Sequence, residues 1–312
     1  MSPPLSRRTL LANAVAGVAA LLPRPPLAAW SRRAPLAAPP TDSDRARLAE
    51  WTAALRAEGV AGQPASLGRE AARVGELAVG TPYQPSTLEA YLRAGGSPSA
   101  REPLTLSLTR FDCTTLVEAC LAVARVADGD GAPSWERFGR EIERIRYRGG
   151  ERRGYASRLH YFSEWISDGV ARGLLRDVGA ELGGAEDVRP LRFMTAHRDR
   201  YPGLADDGVF REIAAMERRL DGRPRRVIPT KRIPEVVDRI ETGDVLAFAT
   251  GIPGLDVTHA ALAYRDGQGV LRVLHAPLSG GAVEITRATV PEYVAAIRRA
   301  TGVLIARPLR HQ

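Results

Sequence analysis

From residue 42 to about residue 170, apolar positions recur every three or four residues, the spacing of a helix with one buried face. An Asp42 or Ser43 cap ahead of Leu48, Trp51 and Leu55 predicts a first helix, and Leu67 to Leu77 predicts a second. A strand-like run, Leu104 to Leu108, leads into a helix over Cys113–Val126. Ser134, with Glu136 near the start, caps a helix reaching Tyr147, and Gly149-Gly150 separates it from a further helix over Arg158–Val170. Past about Arg225 the pattern changes to short β-rich runs punctuated by Gly, Pro and Asp: Val245–Phe248, Val257–Tyr264, Val270–Leu274, Val283–Ile285 and Val303–Ile305. These predict a mostly antiparallel sheet. Helices first and strands afterwards give an α+β fold.

The first residues read differently. Ser6-Arg7-Arg8-Thr9-Leu10-Leu11 opens an uncharged stretch from Thr9 to Leu22, followed by small residues ending at Ala28-Ala29. This order is that of an export signal of twin-arginine type over residues 1–29, and it predicts a periplasmic or extracellular protein. The apolar run falls short of the ~20 residues needed to span a bilayer, so no stable membrane span is expected after signal removal. Residues 30–41, rich in Pro and Ala, read as a tether, and 42–312 as a single domain.

Composition narrows the classes. With 312 residues, 44% hydrophobic and 26% charged, the chain is long enough for a sizeable core and is not disordered, and two cysteines exclude a disulfide framework. Lys231 is the only lysine, and the arginines are spread evenly, which is no footprint for nucleic acid. Removing Arg7, Arg8 and Arg24 leaves 41 basic residues against 36 acidic, a net +5 that weakly favours an anionic polymer such as a cell-wall glycan. HExxH, CxxC, GxxxxGK and GxGxxG motifs are absent, so no metal and no cofactor is expected.

The chemistry centres on Cys113, placed where a helix begins. Free N–H groups and the helix dipole there favour a thiolate, so a lowered thiol pKa is expected. Cys120, seven residues on, lies about 10.5 Å away by helical rise, too far for a disulfide, and reads as core. A cysteine nucleophile needs a base, and the base an orienter. His259 sits in an apolar strand, with its imidazole expected to face the helix side. His275 ends the next strand, and antiparallel neighbours bring the two rings together. Cysteine first and histidine 146 residues later is the order of a papain-type hydrolase. His160 reads as a helix histidine near the same cleft, and His197 and His311 as surface residues. Glu118 and Asp244 read as structural acids.

These residues fall into ordered motifs: Gly80-Thr81-Pro82-Tyr83 with Thr87-Leu88-Glu89, Phe111-Asp112-Cys113-Thr114-Thr115 with Val117-Glu118, Ser157-Arg158-Leu159-His160-Tyr161 with Trp165-Ile166, Gly243-Asp244, Asp256-Val257-Thr258-His259, and Leu274-His275-Ala276. Over roughly residues 70–308 they resemble the N-acetylmuramoyl-L-alanine amidase-like family within the NlpC-type papain-fold cysteine hydrolases. Asp-Cys-Thr-Thr, where the wider group has Asp-Cys-Ser-Gly, fits the amidase-like branch. The resemblance implies a papain-like NlpC-type core, a Cys-bearing helix packed on a His-bearing antiparallel sheet, with extra N-terminal helices. It implies a Cys113–His259–His275 triad cleaving the amide between N-acetylmuramic acid, the anhydro form included, and L-alanine of peptidoglycan muropeptides. It places Tyr83 beside the thiol, and Asp112, Thr114, Arg158 and His160 are candidate substrate contacts; the protein is expected to be a monomer. A γ-D-glutamyl-diamino acid endopeptidase, separable by product mass, and a non-catalytic wall-binding module, marked by a slowly alkylated thiol and intact substrate, are the alternatives.

Overall fold

The computed structural model describes residues 41–59, 61, 67–277, 279 and 281–310; the expected signal and nearly all of the tether, with His311, lie outside them. Helix α1 (Asp42–Ala57) is capped by Thr41 rather than by Asp42 or Ser43, because Thr41 and Asp44 cap each other's backbone N–H groups in a capping box. Helix α2 (Leu67–Leu77) follows. Helix α3 (Cys113–Asp128) is capped by Asp112 and buried on nearly every side from Leu116 to Ala127. Burying Leu116, Val117, Leu121 and Val123, at about 1.5–3 kcal/mol each, fixes this helix and with it the position of Cys113. Helix α4 (Trp135–Arg146) begins at its Ser134 cap as expected.

Two expectations change. Leu104–Leu108 is not a strand: no strand lies beside it, and side chains take its backbone groups instead. Leu108 N–H donates to Asp44, Arg47 donates to Leu108 O, and Arg146 donates to Thr105 O. Helix α5 runs over Phe162–Ala171 rather than from Arg158, because Arg158 bridges to Tyr147 and Leu159 N–H donates to Arg146 O. His160 therefore lies in an irregular stretch, not a helix. Helices α6 (Asp207–Leu220), capped by Asp206, and α7 (Val290–Ala296), with a Thr289–Glu292 capping box, complete the larger helices among the described residues.

The strands are β1 (Leu175–Asp177), β2 (Ala185–Asp187), β3 (Arg225–Pro229), β4 (Val245–Thr250), β5 (Val257–Arg265), β6 (Leu271–His275), β7 (Glu284–Thr289) and β8 (Ala300–Pro308). They form one antiparallel sheet in the order β2-β3-β8-β4-β5-β6-β7, with β1 beside β8. Helices therefore do not strictly precede strands, since β1 and β2 come early and join strands formed far later. Side chains alternate between the two faces. Val245, Ala247, Ala260, Leu262 and Leu274 join α1–α3 in the larger core, while Leu246, Phe248, Ala261 and Val273 pack with Val290 and Val294 of α7 on the other face. A third cluster gathers Tyr155, Tyr161, Phe193 and the apolar side of α6. No helix among the described residues is long and apolar enough to cross a membrane.

Candidate active site

Cys113 is the first residue of α3, partly buried, and the α3 capping box between Asp112 and Thr115 does not use its N–H. Asp112 accepts from Thr115 N–H and Thr115 Oγ1, and Asp112 N–H donates to Thr115 Oγ1. Asp112 is thus occupied as a cap, and Thr114 lies beside the thiol with Oγ1 3.9 Å from Sγ. The ladder between β5 and β6 extends only from Arg265↔Leu271 to Leu262↔Leu274. Ala260 N–H, beyond its end, turns to the Cys113 sulfur. Cys120 is fully buried, and both cysteines are free.

The expected lowering of the thiol pKa does not occur. Burial and then the Asp112 carboxylate push Cys113 up to about 11, outweighing the N–H groups of Ala260 and Thr114 and the Thr114 hydroxyl. A helix start favours a thiolate, but here the cap carries a negative charge of its own and the site is shielded from water. Cys113 rests as a thiol.

His259 and His275 come together as their strands predict, with His259 Nε2 2.7 Å from His275 Nδ1 and the rings edge to face. They stand on a different face from the one expected. Phe248 lies directly opposite His259 in the ladder and stacks on its ring, with centroids 5.9 Å apart, so the imidazole shares the α7 side of the sheet while Ala260 faces the helices. Cys113 Sγ meets β5 at Ala260, the residue after His259. Tyr293 of α7 makes the link: its hydroxyl is 3.3 Å from His275 Nδ1, and burial and then the Cys113 sulfur push its phenol up. No hydrogen bond joins Cys113 Sγ to an imidazole among the described residues, which is common before substrate tightens a site. Burial and then the neighbouring His275 hold His259 well below the usual histidine range, leaving it neutral and able to take a proton.

Burial, then the charges of Cys113 and Asp112, push the Tyr83 phenol up and keep it protonated. Its backbone bridges to Phe111, next to the cap. Arg158 and His160 do not join this group. Arg158 is buried between Glu89 and Glu102, at 3.4 and 3.7 Å, over the ring of Tyr155. His160 Nε2 pairs with Tyr155 O at 2.9 Å. Both are parts of a buried polar network that also takes Tyr147 and Tyr91 onto Glu102. His197 is partly buried, stacked on Phe193, rather than a surface residue. Glu118 and Asp244 are structural as expected, paired with Arg146 and Arg307. The residues that sequence reasoning missed are Phe248, Glu284 and Tyr293. Only Glu284 carried a signal, the alternation Val283-Glu284-Ile285 beside a strand that ends in histidine.

The family model described as N-acetylmuramoyl-L-alanine amidase-like matches residues 73–302, which include Cys113, His259 and His275. An N-acetylmuramoyl-L-alanine amidase of Bacteroides uniformis superposes with a TM-score of 0.70 and 29% identity, over 78% of this chain and 99% of that one. A Bacteroides fragilis protein named as a candidate xylanase follows at 0.68 and 33%, over 75% and 99%. A Legionella pneumophila protein, 17% identical with a TM-score of 0.60 over 86% of this chain and 95% of that one, shares the fold. No curated protein matches the chain.

Proposed function

Since the chain belongs to the N-acetylmuramoyl-L-alanine amidase-like family, we propose that it cleaves the amide between the lactyl group of N-acetylmuramic acid, normal or anhydro, and L-alanine in peptidoglycan fragments. The observation that carries this reading is the His259–His275 pair at the strand ends beside the helix-starting Cys113. His259 Nε2 is engaged by His275, so Nδ1 is the nitrogen left for the thiol. As Cys113 Sγ attacks the lactyl carbonyl carbon, its proton passes to His259 Nδ1, and the oxyanion is held by Cys113 N–H and the Tyr83 hydroxyl. Collapse breaks the C–N bond, and His259 returns the proton to the leaving L-alanine amine. Water, deprotonated by His259, then hydrolyses the thioester to the free lactyl carboxylate and the thiol. A papain-type, NlpC-like arrangement of Cys-bearing helix and His-bearing strands underlies this order of events.

A glycosidase is a poorer fit, because that chemistry runs on two free carboxyl groups and Asp112, the acid beside Cys113, is held as a helix cap. Export by the twin-arginine-like residues 1–29 would bring the enzyme to its polymer, in the periplasm or outside the cell. Mature protein and its Cys113→Ala variant are incubated with disaccharide-tetrapeptides, normal and anhydro, and the products weighed by mass spectrometry. Free tetrapeptide plus disaccharide from the wild type alone is the expected result. Disaccharide-dipeptide would move the cut to the γ-D-glutamyl bond, and intact substrate with both proteins would refute hydrolysis of these fragments.

A further inference from the structure

Among the described residues the buried His275 Nε2 has no hydrogen-bond partner, yet a carboxylate stands close to it. Glu284, the first residue of β7, pairs with His275 in the ladder and brings Oε1 to 3.5 Å from that nitrogen, while its side chain stays half exposed. Resting on the reading of Cys113, His259 and His275 as the reacting group, we propose that Glu284 is a positioning residue that selects the working tautomer of the histidine pair.

The argument is one of proton order. A single proton lies between His259 Nε2 and His275 Nδ1, and two arrangements satisfy the 2.7 Å contact. In the first, His259 Nε2–H donates, His275 Nδ1 accepts, and His259 Nδ1 carries a lone pair that can take the thiol proton. In the second, His275 Nδ1–H donates, the His259 proton moves to Nδ1, and the base is blocked. The first requires a proton on His275 Nε2, inside the protein, and a buried N–H without an acceptor is disfavoured. Glu284 is the acceptor that makes it tenable. Tyr293 takes neither side, since its hydroxyl, 3.3 Å from His275 Nδ1, can accept a proton held there or donate to the bare nitrogen. Among the described residues the groups facing His275 are His259 from β5, Tyr293 from α7 and Glu284 from β7, and only Glu284 stands at Nε2, where an acceptor tells the two forms apart. A carboxylate–histidine–histidine chain does here what a carboxylate does for a metal-bound histidine, fixing tautomer and ring orientation.

The full-length mature protein, with histidine rings labelled with 15N, is compared with Glu284→Ala and Glu284→Gln by NMR at pH 7.5 and by disaccharide-tetrapeptide turnover. The wild type is expected to carry the His275 proton on Nε2. Glu284→Ala should move it to Nδ1 and lower kcat about 10- to 100-fold with KM unchanged. Glu284→Gln keeps an acceptor oxygen and should keep both tautomer and kcat near wild type. A wild-type proton on His275 Nδ1, a Glu284→Ala protein with unchanged tautomer, or Gln as damaging as Ala would overturn the proposal. The tautomer is read without substrate, so a wild type that cleaves no muropeptide refutes the amidase reading and leaves the NMR result to decide this one.

Discussion

Alkylation of Cys113 should switch on only far above neutral pH. With the thiol held up to about 11, first by burial and then by Asp112, its thiolate fraction at pH 7.5 is on the order of 3 × 10⁻⁴, against about one tenth for an ordinary cysteine near 8.5. The more basic thiolate recovers roughly tenfold in nucleophilicity through a Brønsted slope of about 0.4–0.5, which leaves Cys113 some ~20–30 times slower than a model thiol. Carboxamidomethylation by iodoacetamide, followed by intact-mass spectrometry from pH 5 to 11, measures this directly. The rate should climb tenfold per pH unit through neutrality, and Cys113→Ala should remain unlabelled because Cys120 is fully buried. Asp112→Asn keeps the helix cap but removes its charge, and should shift the curve to lower pH. An inflection between pH 4 and 6 with a plateau through neutrality would mean a preformed thiolate–imidazolium pair and would refute the reasoning, as would a shift to higher pH in Asp112→Asn.

Three further outcomes follow from the frame around the site. Burial pushes the Asp187 carboxyl up, but the Arg189 guanidinium and N–H and the Arg225 charge outweigh it and hold it at about 2, below the usual 3.8. A depressed carboxyl stabilises the fold above its unfolded pKa and loses that contribution as pH falls through the folded one, so Asp187→Asn should cost about 2 kcal/mol at pH 6 and progressively less from pH 4 to 2 in urea titrations. Arg146→Met strands Glu118, buried 2.7 Å from its partner, and should cost about 3–5 kcal/mol, most of which adding Glu118→Leu restores; a double variant as unstable as the single one would disprove this. Gly243 has φ +87°, and a Cβ there meets the Gly68 backbone at the start of α2, so Gly243→Ala should lower the unfolding free energy measured in urea by at least about 2 kcal/mol.

How much of this was legible in the sequence depended on where each signal resides. Capped amphipathic helices announce themselves locally, and Ser134, Asp112 and the apolar spacing behind them place α3 and α4 within a residue or two. Helix α6 carries the same signal in Asp206, Val209, Ile213, Met216 and Leu220, plain in the sequence though absent from the expectation. Strands β4–β6 declare themselves by apolar runs, whereas β2 and β3 hide behind Asp187, Arg225 and Arg226, whose charges are matched only across the sheet. The pairing of His259 with His275 was legible because antiparallel neighbours place strand ends together. The face they occupy was not, because it depends on the register of Phe248 against His259 and on the bulge just beyond. The thiol pKa was misjudged because a helix start is visible in sequence and burial is not. Arg158 and His160 sit in a motif beside the site's own, yet Glu89 and Glu102 lie 69 and 56 residues upstream of Arg158 and claim it through tertiary contact.

The negatively charged cap on α3 also bears on how long the protein survives. Peroxides and disulfides attack thiolates, and the first oxidation product, a sulfenic acid, forms in proportion to the thiolate present. On the proposed mechanism, a nucleophile kept protonated by burial and by Asp112 until a neutral His259 takes its proton is chemically quiet between turnovers. With Cys120 buried two turns along the same helix, no resolving thiol is at hand to convert an oxidised Cys113 into a reversible disulfide. For a protein exported as proposed, to a compartment where no reducing pool repairs such damage, low resting reactivity is a protection.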